Sequence, residues 1–133
     1  MELEERSINS YYTYRNKEML WDGLTQLQKK SHALAKEKGF YDPPRSVAES
    51  LCLIHEEISE AAGEYRRSGK DEDLTVVRVN EDGKPEGFPI ELADAMIRLA
   101  DLAEALGISL CEMITLKHEY NITRSHRHGN KRI

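Results

Sequence analysis

Apolar residues at helical spacing, interrupted by strong helix breakers, constrain the possible folds of this chain more than any other feature. The first stripe consists of Leu20, Leu24, Leu27, Ser31 and Leu34. This spacing of three and four predicts an amphipathic helix over residues 17–38. Gly39 suits the position after a helix end, because glycine adopts a left-handed backbone at no steric cost. Pro43 and Pro44 then prevent the helix from continuing.

Two capping boxes predict where the second and fourth helices begin. In each, a serine is followed three residues later by a glutamate: Ser46 with Glu49, and Ser109 with Glu112. The serine hydroxyl and the glutamate carboxylate satisfy backbone N–H groups that have no partner within the first turn. The apolar periodicity carries the second helix to about Arg67, just before a Ser-Gly pair.

The remaining predicted elements are the third helix and a short hairpin before it. Pro89 suits the first position of a helix, and Gly107 marks its end. Before that helix, residues 74–79 have the composition of a strand, and Asp-Gly at 82–83 predicts a hairpin turn. The sequence therefore predicts an all-α fold: a four-helix bundle with a short β-hairpin or ordered loop between helices two and three.

Length and composition limit the domain count and the partners. The 133 residues fit one domain, which we place at 18–133, behind a polar N-terminal arm at 1–17. The formal net charge of −5 argues against a nucleic-acid-binding protein that relies on a basic surface. The hydrophobic fraction of 39% leaves apolar helix faces for a second subunit to cover, so a homo-oligomer is expected.

The distribution of apolar residues and cysteines predicts the cellular location and the redox state of the thiols. No apolar run approaches the length of a membrane span, and the N-terminus is acidic, unlike a signal peptide, so a cytoplasmic protein is expected. Cys52 and Cys111 both lie in apolar helical stretches. Buried free thiols are predicted there, with a disulfide as the less favoured alternative.

Two acidic pairs on the predicted second and third helices carry the main functional signal. Glu57 and Glu60 form one pair, and Glu91 and Asp94 form the other. Carboxylates three residues apart project from the same side of a helix, so two packed helices would bring four of them together. Such like charges favour a bound hard cation, Mg²⁺ above all. Either pair alone is better explained as a solvated helix face, and only the combination favours a metal.

These acids belong to an ordered set of motifs. Glu56, Glu57 and Glu60 form a Glu-Glu-x-x-Glu helix, and Glu91 with Asp94 forms a Glu-x-x-Asp helix. Three further elements are Lys-Gly-Phe-Tyr-Asp at 38–42, Lys-x-x-Tyr-Asn-x-x-Arg at 117–124 and His-Gly at 128–129. In this combination the chain resembles the MazG-like nucleoside triphosphate pyrophosphohydrolases of the all-α NTP pyrophosphatase superfamily. It departs from them in a long spacer between the two acidic motifs.

The resemblance implies hydrolysis between the α- and β-phosphates of a (d)NTP, giving the monophosphate and pyrophosphate, with house-cleaning of the nucleotide pool as one purpose. It implies Mg²⁺, with Mn²⁺ able to substitute, held by Glu57, Glu60, Glu91 and Asp94. Glu56 and Glu57 are the catalytic candidates, and Glu56 either helps to activate water or orients the site. Members of the family usually assemble as dimers or tetramers, so a homodimer or homotetramer is implied.

Seven further residues are candidate substrate contacts: Lys117, Asn121, Arg124, His128, Trp21, His32 and Phe40. Lys117, Asn121 and Arg124 share one face of the predicted fourth helix, where the two cations would stabilise phosphate charge. His128 would close over the phosphates from the basic tail. The three aromatic-ring candidates would stack on the base or line its pocket.

Alternatives stay open for several of these residues. Lys117 and Arg124 can instead pair with glutamates or interact with the helix dipole. Trp21 can face a second subunit rather than substrate. Glu64 and Asp101 extend the two acidic rows and are expected either around the metal ligands or exposed, not as ligands.

Two other functions remain compatible with the sequence. One is a non-catalytic helical module that oligomerises and binds or senses nucleotides. The other is a phosphoribosyl-ATP pyrophosphohydrolase, a sibling activity within the same superfamily that the motifs do not distinguish. Base and sugar preference are therefore left open.

Overall fold

The computed structural model describes the backbone of residues 14–69, 73–130 and 132, and the side chains of these residues except 14–17, 128 and 130. The chain is mostly helical. Its elements, in order, are α1 (Tyr14–Glu37), α2 (Val47–Arg67), β1 (Arg78–Val79), β2 (Pro85–Glu86), α3 (Phe88–Ala105), α4 (Leu110–Ile122) and α5 (Arg127–Asn130). Within the described residues, the prediction of four main helices with a short hairpin between the second and third is confirmed.

Helix α1 begins earlier than predicted and ends as predicted. It starts at Tyr14, inside the stretch assigned to an arm, because residues 14–17 contain no glycine or proline to stop it. The rest of that predicted arm, residues 1–13, lies outside the described residues. At the other end, the Gly39 N–H donates to Lys36 O and the Phe40 N–H to Ala35 O, both at 3.0 Å. With Gly39 at φ +80°, this is a Schellman cap.

Both serines of the predicted capping boxes cap their helices. Glu49 N–H donates to Ser46 Oγ at 3.1 Å, and Ser46 N–H donates to the Glu49 carboxylate at 2.7 Å. In α4, Glu112 N–H donates to Ser109 Oγ at 3.3 Å. Helix α2 ends at Arg67, where the periodicity placed its end.

Helices α2 and α3 pack against each other with their acidic faces inward. The buried residues of α2 are Ser50, Glu57, Ala61 and Glu64, and those of α3 are Ala95, Ala100, Asp101 and Ala103. The alanines allow the helices to approach closely, since interaxial distance depends on side-chain size. Most of the large apolar residues of both helices are exposed instead, with Ile58 51% and Met96 56% accessible.

The hairpin is short and is held by one asparagine. Arg78 pairs with Glu86 and Val79 with Pro85, in antiparallel register. Asn80 Oδ1 accepts from the Asp82 and Lys84 N–H groups at 2.9 Å each, and this closes the turn. Of the stretch 74–79 with strand composition, only two residues pair, because Pro85 on the returning strand has no N–H to donate.

Gly87 joins the hairpin to α3. It is the N-cap of α3 at φ +125°, and a Cβ atom there would lie 2.8 Å from the Val76 carbonyl oxygen. Only glycine therefore fits at this position. The helix begins one residue earlier than predicted, at Phe88, so Pro89 is its second residue. Proline is tolerated there because this N–H has no helical acceptor.

The chain divides into two compact units. One is Leu27–Gly107, which contains α2, the hairpin and α3; the other comprises the described residues up to Gln26 and from Ile108 onward. Both cysteines are free, and Cys111 is buried as predicted, but Cys52 is exposed. The prediction for Cys52 was wrong because it lies about 200° around α2 from buried Ser50, away from the face that meets α3.

A search of the described residues finds no helix with both the length and the apolar character needed to cross a membrane.

Candidate metal centre

Carboxylates from two helices meet where α2 and α3 pack. One carboxylate oxygen from each of Glu57, Glu60 and Glu91 lies within 4.8 Å of the other two. Glu57 is buried, Glu91 is half-buried and Glu60 is exposed. The group therefore has a buried side against the protein and an open side toward solvent, as a site that binds both a cation and a substrate requires.

Asp94, the fourth predicted ligand, flanks this group. It lies one helical turn after Glu91 and, with Glu57, lines a cavity of about 260 Å³. Burial raises the pKa of the Asp94 carboxyl, and the charge of Glu57 raises it further, while the nearby charges of Arg98 and Lys84 lower it. Three of the four predicted ligands are thus within reach of one ion, with Asp94 beside them.

The Glu91 carboxyl responds most clearly to the crowding of negative charge. Its pKa is raised first by burial, then by a hydrogen bond with Glu60 and by the charges of Glu60, Asp94 and Glu57. A raised carboxyl pKa means that the charged form is disfavoured in the folded protein. A cation bound among these oxygens would remove that penalty.

The donor set fits a hard divalent cation. The three clustered ligand atoms are carboxylate oxygens, and neither histidine nor cysteine belongs to this group. Oxygen-only ligation suits Mg²⁺, Ca²⁺ or Mn²⁺ rather than the transition metals that prefer nitrogen and sulfur. The residues present are thus compatible with the cation that the sequence predicted.

Arg98 is part of this site, although the sequence motifs did not predict a role for it. Its Nε donates to Oε1 of Glu57 in a short ion pair, and the Glu57 side chain is only 8% exposed. Arg98 follows Asp94 by four residues, which places both on one face of α3. That spacing was the available signal, but it could not indicate a partner on another helix.

Glu56, the other catalytic candidate, is exposed on α2 next to Glu57. Successive residues of a helix are 100° apart, so Glu56 projects from a different side of α2 than Glu57. It does not belong to the group of three carboxylates.

A second polar cluster surrounds Asp101. Its Oδ1 lies 2.8 Å from His32 Nδ1 and accepts a hydrogen bond from Tyr41 Oη at 2.8 Å, and Arg45 approaches Oδ2 at 3.9 Å. Asp101 is 7% exposed. Of the two expectations for Asp101, exposure is wrong, because its carboxylate is buried where it links the end of α1 and the following loop to α3. A position around the metal ligands stays a prediction.

Two predicted base-contacting residues lie beside this cluster. The ring of His32 is engaged by Asp101 and packs edge-on against Tyr41, at 4.8 Å between ring centroids. Phe40 is exposed, lies 5.4 Å from the Arg45 guanidinium and lines the 260 Å³ cavity that also contains Glu57 and Asp94. Phe40 is therefore placed to contact a ligand of the acidic site, whereas His32 is held by a carboxylate.

Replacing Tyr41 with phenylalanine is expected to lower the free energy of unfolding by about 1–2 kcal/mol at neutral pH, since a hydrogen bond to a buried carboxylate is lost. Burial, followed by the hydrogen bond to Asp101, raises the pKa of Tyr41 to about 12 in the folded protein. The unfolded tyrosine ionises near pH 10. The advantage of the native chain over Tyr41→Phe is therefore present below pH 10 and decreases as pH rises from about 10 to 12. Urea titrations of both proteins across this range measure the difference; a constant difference would contradict the prediction.

Glu64 is buried and has two arginine partners. Arg67 donates to one carboxylate oxygen in a short contact, and Arg78 Nη2 donates to the other at 2.6 Å. The expectation of an exposed Glu64 is wrong, because the residue is buried and its contact with Arg78 ties the hairpin to α2. A position around the metal ligands stays a prediction.

The C-terminal candidates belong to the other compact unit. In α4, the Lys117 Nζ lies 4.7 Å from the centroid of the Tyr120 ring, and the Arg124 guanidinium lies 5.7 Å from it. Both cations therefore group around one aromatic ring, with exposed Asn121 following it. Trp21, in the same unit, is 44% exposed. The side chain of His128 lies outside the described residues.

Comparison of the chain with models of protein families, with curated proteins and with solved structures finds no match. The motifs and the arrangement of residues around Glu57, Glu60 and Glu91 are therefore the only indications of function.

Proposed function

We propose that this protein is a Mg²⁺-dependent nucleoside triphosphate pyrophosphohydrolase of the MazG-like, all-α NTP pyrophosphatase type. It would cleave between the α- and β-phosphates of a (d)NTP and release the monophosphate and pyrophosphate. The observation that carries the proposal is the convergence of Glu57, Glu60 and Glu91, from two helices, within 4.8 Å. These are three of the four acids that the motifs mark as ligands.

In this proposal Glu57, Glu60 and Glu91 hold the cation, and Asp94 completes the set. Bound Mg²⁺ would neutralise phosphate charge and lower the pKa of a coordinated water. Mg²⁺ is commonly held by few carboxylates together with substrate phosphates, which suits a group that is open on the Glu60 side. Glu56, exposed on a different side of α2 from Glu57, keeps the role that the motif implies, which is to help activate the attacking water or to orient the site.

The remaining chain residues would bind and orient the substrate. Phe40 lines the cavity next to Glu57 and offers a ring face for a base. For the other candidates the motifs alone imply the roles: Lys117, Arg124, Asn121 and His128 as phosphate contacts, and Trp21 and His32 as contacts of the base. A cytoplasmic location is part of the same proposal.

A homodimer or homotetramer is also proposed. Its support is the large apolar surface on Leu27–Gly107: Leu51, Ile58 and Tyr65 on α2, and Met96 and Leu99 on α3, are exposed. Among the described residues no large side chain is fully buried. Exposed apolar side chains in this number favour an interface, and a second copy of the chain would cover them.

A non-catalytic nucleotide-binding module is the second candidate. The ion pair between Arg98 and Glu57 favours it, because an arginine already neutralises one of the converging carboxylates. The group can thus persist without a cation, and its presence alone does not require catalysis.

The test is pyrophosphate release by the purified protein with Mg²⁺ across a panel of canonical and modified NTPs and dNTPs, with phosphoribosyl-ATP included. Metal-dependent release of pyrophosphate is expected, and the best substrate would name the base. Tight nucleotide binding without any cleavage would favour the binding module and refute the proposed activity. Cleavage of phosphoribosyl-ATP alone would assign the sibling activity.

A further inference from the structure

A second cavity borders the acidic group, and Phe40 does not line it. It has a volume of about 520 Å³, and Glu60 and Glu91 lie in its wall. This volume falls within the range of about 300–1,000 Å³ that is typical of ligand pockets. The cavity also receives side chains from the hairpin, which the motifs did not connect with any function.

Two cations line this cavity, Arg67 and Lys84. Arg67 is already paired with Glu64, which also binds Arg78. Within the described part of the chain, the Lys84 ammonium forms no ion pair. It nevertheless lies near the acids, because Lys84 lines the same cavity as Glu60 and Glu91. Lys84 is therefore a cation beside the carboxylates that remains available for an anionic ligand.

The hairpin holds Lys84 in place rather than leaving it on a loose loop. The Lys84 N–H donates to Asn80 Oδ1 at 2.9 Å, and its carbonyl accepts from Asn80 N–H at 3.0 Å. The hairpin is tied to α2 by the contact of Arg78 with Glu64 at 2.6 Å. Its second strand, β2, leads through Gly87 directly into α3. The backbone at Lys84 is thus fixed relative to both helices that carry the acids.

We propose that Lys84 is a phosphate-binding residue, which contacts the polyphosphate of a substrate whose other oxygens bind the cation held by Glu57, Glu60 and Glu91. This rests on the proposed function, and it assigns the hairpin the task of supplying positive charge to that site. An anion bound beside three carboxylates needs a cation between itself and the carboxylates. It also needs positive charge on the side that faces away from them. A lysine ammonium supplies a point charge with three donors, which suits phosphate oxygens.

The occupant is a polyphosphate rather than a carboxylate ligand for a physical reason. The cavity carries both acids and cations, so its ligand must be bridged to the acids by a divalent ion and still reach Lys84. A chain of phosphates presents oxygens at both ends, so one part of it can bind Mg²⁺ while another part reaches Lys84. A single carboxylate would be taken up by the cation alone.

Binding of inorganic tripolyphosphate in the presence of Mg²⁺, measured by calorimetry on the full chain, tests this proposal. Lys84→Met keeps the aliphatic stem and is expected to weaken binding about 10-fold or more, because a charge-assisted contact is lost. Lys84→Arg should retain most of the affinity. Lys29→Met, at an exposed lysine of α1, is the matched control and should bind like the native chain.

Each outcome distinguishes the inference from the function on which it rests. Equal tripolyphosphate affinity of Lys84→Met and the native chain, with nucleotide turnover intact, would overturn the role of Lys84 alone. Failure of the native chain to bind tripolyphosphate with Mg²⁺ would overturn both.

Affinity for Mg²⁺ without tripolyphosphate should not decrease in Lys84→Met, because removing a nearby positive charge does not weaken a cation site. A decrease would indicate a structural role for Lys84 and overturn the proposal. Thermal unfolding should be unchanged in the variant, since the Lys84 backbone, not its side chain, closes the turn.

Discussion

Replacing Glu57 with glutamine is expected to lower the rate of pyrophosphate release by at least about 10²–10³-fold, because loss of one charged group at a reacting centre has an effect of this size. Glu57 is the buried member of the three-carboxylate group. Glutamine keeps its shape and removes its charge. The same loss is expected for Glu91→Gln, which removes a ligand without touching the ion pair of Arg98.

The measurement is steady-state release of pyrophosphate with the best substrate of the panel, at several Mg²⁺ concentrations. Circular dichroism establishes that each variant keeps its helices. Glu37→Gln, at an exposed position near the end of α1, is the control for loss of one carboxylate and should retain full activity. If Glu57→Gln and Glu91→Gln both release pyrophosphate at the native rate, the proposed metal centre is wrong.

Replacing Arg98 with methionine is expected to lower the free energy of unfolding by about 3 kcal/mol in the absence of divalent cations, because a buried carboxylate loses its partner. The Glu57 side chain is 8% exposed, so water cannot solvate it fully. A cation bound at the acidic group would take over the role of the guanidinium. With excess Mg²⁺ the difference from the native chain should therefore fall below about 1 kcal/mol.

Urea unfolding with Mg²⁺ and with a chelator measures both differences. Tyr41→Phe is the control, because it weakens the fold at Asp101 without changing a carboxylate of the group, and Mg²⁺ should not reduce its deficit. An Arg98→Met deficit that is the same with and without Mg²⁺ would contradict the prediction that a cation takes over the role of the guanidinium beside Glu57. That result would leave Arg98 as a purely structural partner.

The helix boundaries were predictable because they depend on local chemistry. Ser46 and Glu49 meet across a single turn, and Gly39 adopts the positive φ that a Schellman cap needs. These signals act over at most five residues. Where they were absent, at the start of α1, the predicted boundary was three residues late.

The acidic site was predictable in part. Spacing alone placed Glu57 with Glu60 and Glu91 with Asp94, and the structure brings the first three within reach of one ion. The spacing did not predict that Asp94 lies beside the group of three carboxylates rather than within it. That depends on the crossing of α2 and α3, which no pattern within one helix contains.

The partners of the buried charges were not predictable. Arg98 meets Glu57 across 41 residues of sequence, and His32 meets Asp101 across 69. Each charge looked like part of a solvated row, because hydrophobic periodicity assigns polar residues to the outside. In α2 and α3 the reverse holds, since the acidic faces meet and much of the apolar surface remains exposed.

By itself, the sequence determined where each helix begins and ends and which residue types could form a cation site. These features depend on hydrogen bonds and steric limits within a few residues. Only the tertiary structure decided which helix faces meet, and therefore that Glu57 is held by Arg98, Asp101 by His32 and Tyr41, and Lys84 beside the acids. Those contacts exist only once α2, α3 and the hairpin pack, because their residues are far apart along the chain.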